Sequence, residues 1–180
     1  MPDPVQTHDT GVAITTSAPG MITLRGALED TAFKAAVEEV SGLTVPEPRE
    51  IVQSGEHRLA WMGPDEALLI LPRDALCDTV DALVTALKGH HALVADMSDA
   101  RRLFHLTGPD AALRDTLARL CPVDMRAFQL GEIRRTRLAQ IAAAFWMGEE
   151  GRLDLICFRS VAQYAEDLLS DAAGKGVVLR

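Results

Sequence analysis

Apolar residues recur at helical spacing in four stretches of the chain. Because apolar side chains three and four positions apart share one face of a helix, each stretch predicts an amphipathic helix. The helices are expected at 29–40, after Asp74, after Pro109 and after Ser160. Asp74 fits an N-cap, and Ser160 with Gln163 fits a capping box. The predicted buried stripes are Phe33, Ala36, Val37 and Val40; Leu76, Val80, Leu83, Val84 and Leu87; Leu113, Leu117 and Leu120; and Val161, Tyr164, Ala165, Leu168, Leu169 and Ala172.

Shorter apolar runs between these helices predict β-strands. Alternating or continuous apolar runs bounded by glycine, proline or polar turns favour strands. In the predicted strand that contains Arg134, alternation places Arg135 and Arg137 on one face and Arg134 on the other. The predicted strands lie in "EIVQS", "RLAWM", "EALLILP", "ALVADMSDARRLFHLTG", "EIRRTRLAQIAAAFWMG" and "RLDLICF", and "GKGVVLR" fits an edge strand.

Trp-Met-Gly occurs twice, at 61–63 and 146–148, and the same order of elements surrounds both copies. The copies are 85 residues apart, and Arg73 and Arg159, which precede the next helix of each copy, are 86 apart. Each copy therefore runs strand, helix, strand, strand, helix, strand. This order is the split βαβ pattern of ferredoxin-like modules.

The repeat predicts an α+β fold of two pseudo-repeated ferredoxin-like modules packed as one body. We expect a flexible N-terminal arm over 1–20 and a single domain over 21–180. Module one is expected at about 21–92 and module two at about 93–180. The two tryptophans of the repeat are expected to occupy equivalent core positions.

Charge is distributed unevenly along the 180 residues. The net charge is −8, and residues 1–90 carry 6 basic and 14 acidic side chains, whereas residues 91–180 carry 12 of each. Eight arginines and no lysine lie within 101–137. Arginine suits carboxylate partners and interface ion pairs, although a solvated face is the alternative interpretation. The acidic balance and the 4% aromatic content argue against a nucleic-acid partner.

The sequence predicts a cytoplasmic protein without a membrane segment. Its first 20 residues lack the basic and apolar regions of a signal peptide, and no apolar run of about 18 residues occurs. The three cysteines are far apart in apolar runs, which favours a reducing compartment. Their spacing fits neither a zinc site nor a disulfide framework.

No catalytic, metal-binding or phosphate-binding motif is present, such as GxGxxG, GxxxxGK[ST], GxSxG or HExxH. His105 lies in an apolar strand, and we interpret it as structural. Asp96 and Ser98 interrupt another apolar strand. Asp96 is either a buried base or ligand, or it bonds nearby backbone with Ser98 at a bend, the interpretation we favour. Arg73 and Arg159 are interpreted as strand-to-helix junction residues.

Five motifs in combination resemble the gamma subunit of heterotetrameric sarcosine oxidase over about residues 21–175. The segment "LTGPDAALRDTLARLCPVDM" also resembles a helix of the folate-binding domain in the glycine-cleavage T-protein, an aminomethyltransferase. The motifs are a W-x-G-P-D-E turn in "WMGPDEALLILP", a D-x-S strand in "VADMS", a G-P-D-A helix start, an L-C-P-x-D helix end, and an R-S-x-A-x-Y helix in "FRSVAQYAEDLL".

The resemblance implies an oxidoreductase complex that demethylates sarcosine to glycine, transfers the one-carbon unit to tetrahydrofolate and produces hydrogen peroxide. It implies alpha, beta and delta subunits as partners. It also implies that FAD, FMN, NAD, zinc and the folate site belong to those subunits. The family assigns no catalytic residue to the gamma chain, so none is carried over. The substrate of the complex, sarcosine or another N-methyl compound, stays open.

Two functional hypotheses follow. In the first, the chain is a non-catalytic structural subunit of such an oxidase, and an arginine-rich surface contacts an acidic patch of a partner. In the second, it is a stand-alone folate-binding or one-carbon-binding protein, whose arginines meet the glutamate tail of folate and whose Asp96 meets the pterin. The candidate partner-contact residues are Arg101, Arg134, Arg135 and Arg137.

Overall fold

A computed structural model describes residues 6–175 and divides them into two compact α+β modules. The strands are β1 Gln6–Thr7, β2 Ala13–Ser17, β3 Gly20–Arg25, β4 Ile51–Ser54, β5 His57–Gly63, β6 Glu66–Leu71, β7 Leu93–Asp96, β8 Arg101–Thr107, β9 Ile133–Leu138, β10 Ile141–Glu149 and β11 Arg152–Phe158. The helices are α1 Thr31–Ser41, α2 Leu76–Ala86, α3 Asp110–Ala118 and α4 Ala162–Ala173.

The first module, residues 18–99, is an antiparallel five-stranded sheet in the order β4-β5-β6-β3-β7. The strands β7-β3-β6-β5, with α1 and α2, form the split βαβ unit, and β4 extends its edge. Alternate residues of the strands pack against both helices, since successive side chains of a strand point to opposite faces. Leu24, Leu69 and Leu83 are fully buried in this core.

The second module consists of residues 6–17 and 100–175 and has the sheet order β1-β2-β8-β11-β10-β9. Its strands β2-β8-β11-β10 repeat the order of the first module, with β9 as the added edge strand. Phe104, Phe145 and Leu155 pack with residues of α3 and α4 in a second core. The predicted α+β class with two ferredoxin-like modules is confirmed, whereas their packing as one body stays a prediction.

The N-terminal residues differ most from the expected organisation. Residues 13–17 form β2, which pairs antiparallel with β8, and Val12 and Ile14 are 0% and 3% exposed. In the first module, the strand that follows α2 takes the equivalent place, namely β7 beside β3. Strands from Gln6 onward therefore replace the expected arm over 1–20. The first module spans residues 18–99, and the second is formed by residues 6–17 and 100–175. Residues 1–5 and 176–180, which hold most of the predicted "GKGVVLR" strand, lie outside the described residues.

Two of the predicted helix caps are wrong. Short 3-10 turns at Arg73–Ala75 and Arg159–Val161 precede α2 and α4, so both helices begin later than the sequence signals indicated. Neither Asp74 nor Ser160 caps the helix with its side chain. Asp30 does cap α1, because its carboxylate accepts from the backbone N–H groups of Ala32 and Phe33.

The predicted buried stripes are narrower in the structure. Val84 and Tyr164 are 53% and 44% exposed, so α2 and α4 bury fewer apolar residues than their periodicity suggested. The strand assignment of residues 132–148 is confirmed, with a tight turn at Ala139 that separates β9 from β10. Arg135 and Arg137 are exposed and Arg134 is half-buried, as alternation predicted.

The two tryptophans do not occupy equivalent positions. Trp61 shares the helix-side face of β5 with Leu59. Trp146 lies between Phe145 and Met147, which both face the helices, so its side chain points to the opposite face of β10. The sequence repeat is offset from the structural repeat by one residue, and a shift of one residue exchanges the faces of a strand. Trp146 is nevertheless 1% exposed, so both tryptophans contribute to packing.

Candidate functional site

Asp96 and Ser98 form a tight turn at the end of β7. The Ser98 backbone N–H and hydroxyl both donate to Asp96 Oδ1, at 2.9 and 2.5 Å, and the Ser98 hydroxyl accepts from the Met21 N–H at 2.9 Å. The bond from the Ser98 hydroxyl lowers the pKa of Asp96. Asp96 itself is exposed, so it is not the buried base of the functional alternative. The local backbone role favoured from the sequence is confirmed.

Three of the four arginines proposed for partner contact share one sheet face in the second module. Arg101, Arg135 and Arg137 alternate with residues of the helix-side core, so they project from the opposite face. Arg101 pairs with Phe158, and its guanidinium lies 6.0 Å from the centre of that ring. Arg137 pairs with Ala142, which comes directly before the Ala143–Cys157 pair. Arg101 and Arg137 are therefore three strand spacings apart, about 14 Å between their Cα atoms.

We call the four residues Arg101, Arg135, Arg137 and Phe158 the arginine face. Phe158 is 48% exposed, and Arg135 and Arg137 are also exposed. A large exposed aromatic side chain among guanidinium groups is typical of interaction surfaces, where arginine and aromatic residues are enriched.

Arg134 has a different role from the other three arginines. It forms an ion pair with Glu132, and its guanidinium lies 5.8 Å from the ring centre of Phe128. Phe128 in turn packs against Phe145 in the core, with ring centres 5.1 Å apart. Arg134 therefore fixes the segment that leads into β9, and its assignment to the contact surface is not supported by this placement.

The second module also holds a polar network that the sequence reasoning missed. We call Ser17, His105, Arg152 and Asp154 the charged rung, because they lie on the neighbouring strands β2, β8 and β11. Ser17 Oγ is 2.7 Å from His105 Nε2, and His105 Nδ1 is 2.6 Å from Asp154 Oδ1. Arg152 Nε donates to the same carboxylate oxygen at 3.1 Å.

Asp154 is a buried carboxylate, 4% exposed, whose charge is compensated by two neighbours. Burial raises the pKa of Asp154, but the hydrogen bonds and charges of His105 and Arg152 outweigh that effect. The pKa of Asp154 is consequently held below its ordinary value, and the group is a carboxylate at neutral pH. The short contact to His105 Nδ1 places the ring proton on that nitrogen and leaves Nε2 facing Ser17.

The sequence contains only a weak signal for the charged rung. His105 and Asp154 each interrupt an apolar alternation, but they are 49 positions apart, and Ser17 is 88 positions from His105. Only the register of three strands brings them together. Among residues 6–175, no group of three His, Cys, Asp or Glu side chains is arranged to hold a metal ion. Within residues 6–175, no helix is both long enough and apolar enough to cross a membrane.

Comparison with known proteins identifies one family across most of the chain. Residues 25–175 match the sarcosine oxidase, gamma subunit family. The sarcosine oxidase subunit gamma of Corynebacterium sp. (strain P-1) is 32% identical over 142 residues, covering 77% of this chain and 68% of that protein. The subunit gamma of an Arthrobacter species is 34% identical over 124 residues, covering 67% of this chain and 59% of that protein. The matched regions thus fall short of the relatives' full lengths.

Solved structures show the same similarity. A chain of heterotetrameric sarcosine oxidase from Corynebacterium sp. U-96, in complex with pyrrole 2-carboxylate, superposes with a TM-score of 0.84 at 26% identity, covering 98% of this chain and 90% of that one. Aminomethyltransferase T of the glycine cleavage system from Bartonella henselae superposes with a TM-score of 0.59 at 18% identity, covering 89% and 46%. The second match shows a shared fold alone.

Proposed function

Because the chain belongs to the sarcosine oxidase gamma subunit family, we propose that it is a non-catalytic structural subunit of a heterotetrameric sarcosine oxidase. The observation that carries the proposal is the structural match to a chain of such a heterotetramer over 98% of this chain. That match also covers 90% of the other chain, so the similarity is not limited to one module.

The proposed complex oxidatively demethylates sarcosine to glycine in the cytoplasm, passes the one-carbon unit to tetrahydrofolate and forms hydrogen peroxide. Its alpha, beta and delta subunits are the proposed partners of this chain. FAD, FMN, NAD, zinc and tetrahydrofolate are proposed to bind to those subunits. The role left to this chain is to bind its partners and stabilise their arrangement.

The arginine face is the proposed contact with an acidic patch of one partner. Arg101, Arg135 and Arg137 project from one sheet face, and Phe158 supplies an exposed apolar contact between them. Complementary charges across an interface raise the association rate and fix the orientation of the partners. Buried aromatic and arginine side chains also carry a large share of interface energy.

The contact can be tested by reversing charge on the arginine face. A tagged R135E/R137E variant should recover much less of the partner chains than the unchanged protein when all chains are expressed together. The control variant R126E/K88E makes the same change in net charge at two exposed residues elsewhere. Equal recovery with both variants would assign the partner contact to another surface. Circular dichroism of both variants should be unchanged.

The stand-alone folate-binding hypothesis can be tested separately, with tetrahydrofolate and the purified chain. Asp96 is exposed and its Oδ1 accepts bonds from Ser98, so this carboxylate does not line a buried pterin site. Titration of the purified chain with tetrahydrofolate should therefore show no saturable binding. Saturable micromolar binding that D96A weakens would favour the binding protein over the structural subunit.

A further inference from the structure

The charged rung has the geometry of an activated hydroxyl. Ser17 Oγ is 2.7 Å from His105 Nε2, and the opposite ring nitrogen is 2.6 Å from the Asp154 carboxylate. A nucleophile within hydrogen-bond reach of a base, with a third group that orients the base, is the general arrangement of nucleophilic catalysis. Roles in such a constellation are recognised by geometry, whatever the order of the residues in the chain.

The proton positions fit this arrangement. Arg152 Nη2 also lies near His105 Nδ1, at 3.1 Å, but arginine can only donate, and the 2.6 Å contact to Asp154 requires a proton on that nitrogen. Arg152 therefore donates its hydrogen bond to the Asp154 carboxylate, through Nε. In the tautomer that carries its proton on Nδ1, the imidazole presents the Nε2 lone pair to the Ser17 hydroxyl.

The fold does not require this network, because the first module is built without it. Leu24 of β3 and Leu106 of β8 occupy the same helix-side position, so Thr23 is the structural equivalent of His105. Thr23 pairs with Leu68, just as His105 pairs with Asp154. A threonine and a leucine are thus sufficient to form this part of the fold. The presence of His105 and Asp154 in the second module is therefore not explained by folding alone.

Ser17 is within reach of a small reagent. It is the last residue of β2 and is partly exposed, and the side chain of His105 is 18% exposed. Asp154, in contrast, is 4% exposed, as suits a residue that orients the base. The nucleophile and base are therefore accessible while the orienting carboxylate is shielded from water.

We propose that Ser17 is an acyl acceptor that reacts with small activated esters, with His105 as its base and Asp154 as the positioning residue. Ser17 Oγ attacks the carbonyl carbon of the ester while His105 Nε2 takes the hydroxyl proton. The bond from the carbonyl carbon to the leaving oxygen then breaks, and His105 returns the proton to that oxygen. The products are acyl-Ser17 and the free alcohol or phenol. This activity is independent of the proposed structural role.

The reaction can be followed with p-nitrophenyl acetate and the full-length folded chain. We expect a burst of p-nitrophenolate and one acetyl group on the peptide that contains Ser17, located by mass spectrometry. S17A should lose that acetyl group. H105Q should acylate Ser17 about 100-fold more slowly, the range for removal of a general base, and D154N should also be slower.

A second serine provides a matched control. Ser54 lies opposite His57 in the β4–β5 hairpin, and the imidazole of His57 contacts the Ser41 carbonyl. S54A should acylate Ser17 at the unchanged rate. The chain unfolded in urea should not acylate Ser17 selectively, which separates this reaction from ordinary lysine acetylation.

Two results would overturn the proposal. One is the absence of acetyl-Ser17 in the folded, unmodified chain. The other is H105Q reacting at the unchanged rate, which would show that the histidine is a structural neighbour only. If H105Q does not fold, the H105T/D154L variant, which copies the residues of the first module, takes its place in the same measurement.

Discussion

The two modules share one fold but carry different side chains at one pair of equivalent sheet positions. In the first module Thr23 pairs with Leu68, which is fully buried. In the second module the same place holds His105 and Asp154, and Arg152 neutralises the carboxylate. The comparison shows that the topology depends on which face each residue occupies and tolerates either a Thr–Leu pair or a compensated His–Asp pair at this position.

The modules also differ in how they complete their sheets. The first module uses β7, which follows α2 in the chain, whereas the second uses β2 from the N-terminal end. In each module the added strand pairs with backbone groups that would otherwise form an exposed edge of the sheet. The N-terminal segment is therefore a structural part of the second module.

The largest expected effect comes from removing that segment. Deletion of residues 1–17 exposes the edge of β8 and removes the buried Val12 and Ile14. The burial of two such side chains is worth about 3–6 kcal/mol, so the second module should lose cooperative unfolding in urea. Cys121 and Cys157 report on this module, because burial raises the pKa of both thiols to about 11 and slows their labelling. Both should become reactive in the deletion, and protection at the level of the full chain would contradict the account.

A charge placed in the first module should be nearly as damaging. Leu68→Asp puts a carboxylate at the position of Asp154, but Glu66 occupies the place that Arg152 holds in the second module. We expect a total loss of about 5 kcal/mol at pH 7, which should exceed the loss in the control Leu68→Ala. Burial should raise the pKa of the new carboxyl, so the part of the loss that is due to charge should shrink as the pH falls through the raised folded pKa and should be absent below the unfolded pKa of about 4. Urea titrations at pH 3.5 and 7 measure both effects.

Asp154 should show the opposite dependence on pH. Its pKa is lowered in the folded state, so its contribution to stability is full above the unfolded pKa of about 4 and is lost as the pH falls through the folded value. Asp154→Asn should cost about 2 kcal/mol at pH 7, the range for hydrogen bonds to a charged group, and progressively less below pH 4. The H105T/D154L variant should fold and lack this dependence. A pH dependence that survives in H105T/D154L would assign it to other groups.

Replacement of Trp146 by phenylalanine should have the smallest effect. The buried indole Nε1 has no hydrogen-bond partner among residues 6–175, so Trp146→Phe breaks no bond there and leaves only a small cavity. We expect a loss of about 1 kcal/mol in the free energy of unfolding. A loss of several kcal/mol would reveal a polar contact of this indole.

The sequence predicted the repeat and its fold, but it did not predict which residues meet. The order of apolar runs and turns indicated both modules, because it depends on spacing along the chain. The predicted equivalence of Trp61 and Trp146 was wrong because an offset of one residue exchanges the two faces of a strand. The charged rung was missed because Ser17, His105 and Asp154 become neighbours only through the pairing of three strands.

The strand formed by residues 13–17 could not be inferred from local pattern alone. Its sequence, "AITTS", is polar at three of its five positions, and its strand character depends on the exposed edge of β8. The four candidate contact arginines could be selected by composition, but only the structure separates Arg134, which is bound to Glu132, from the three that form the arginine face.

The most direct test of the proposed role is the composition of the assembly that this chain forms in its own cells. The tagged chain would be purified gently from its native host, and its native mass and visible absorbance recorded. We expect one large complex with further chains and the absorbance of bound flavin. A colourless species at the 19.5 kDa mass of the single chain, obtained under conditions that preserve other complexes, would contradict the proposed role.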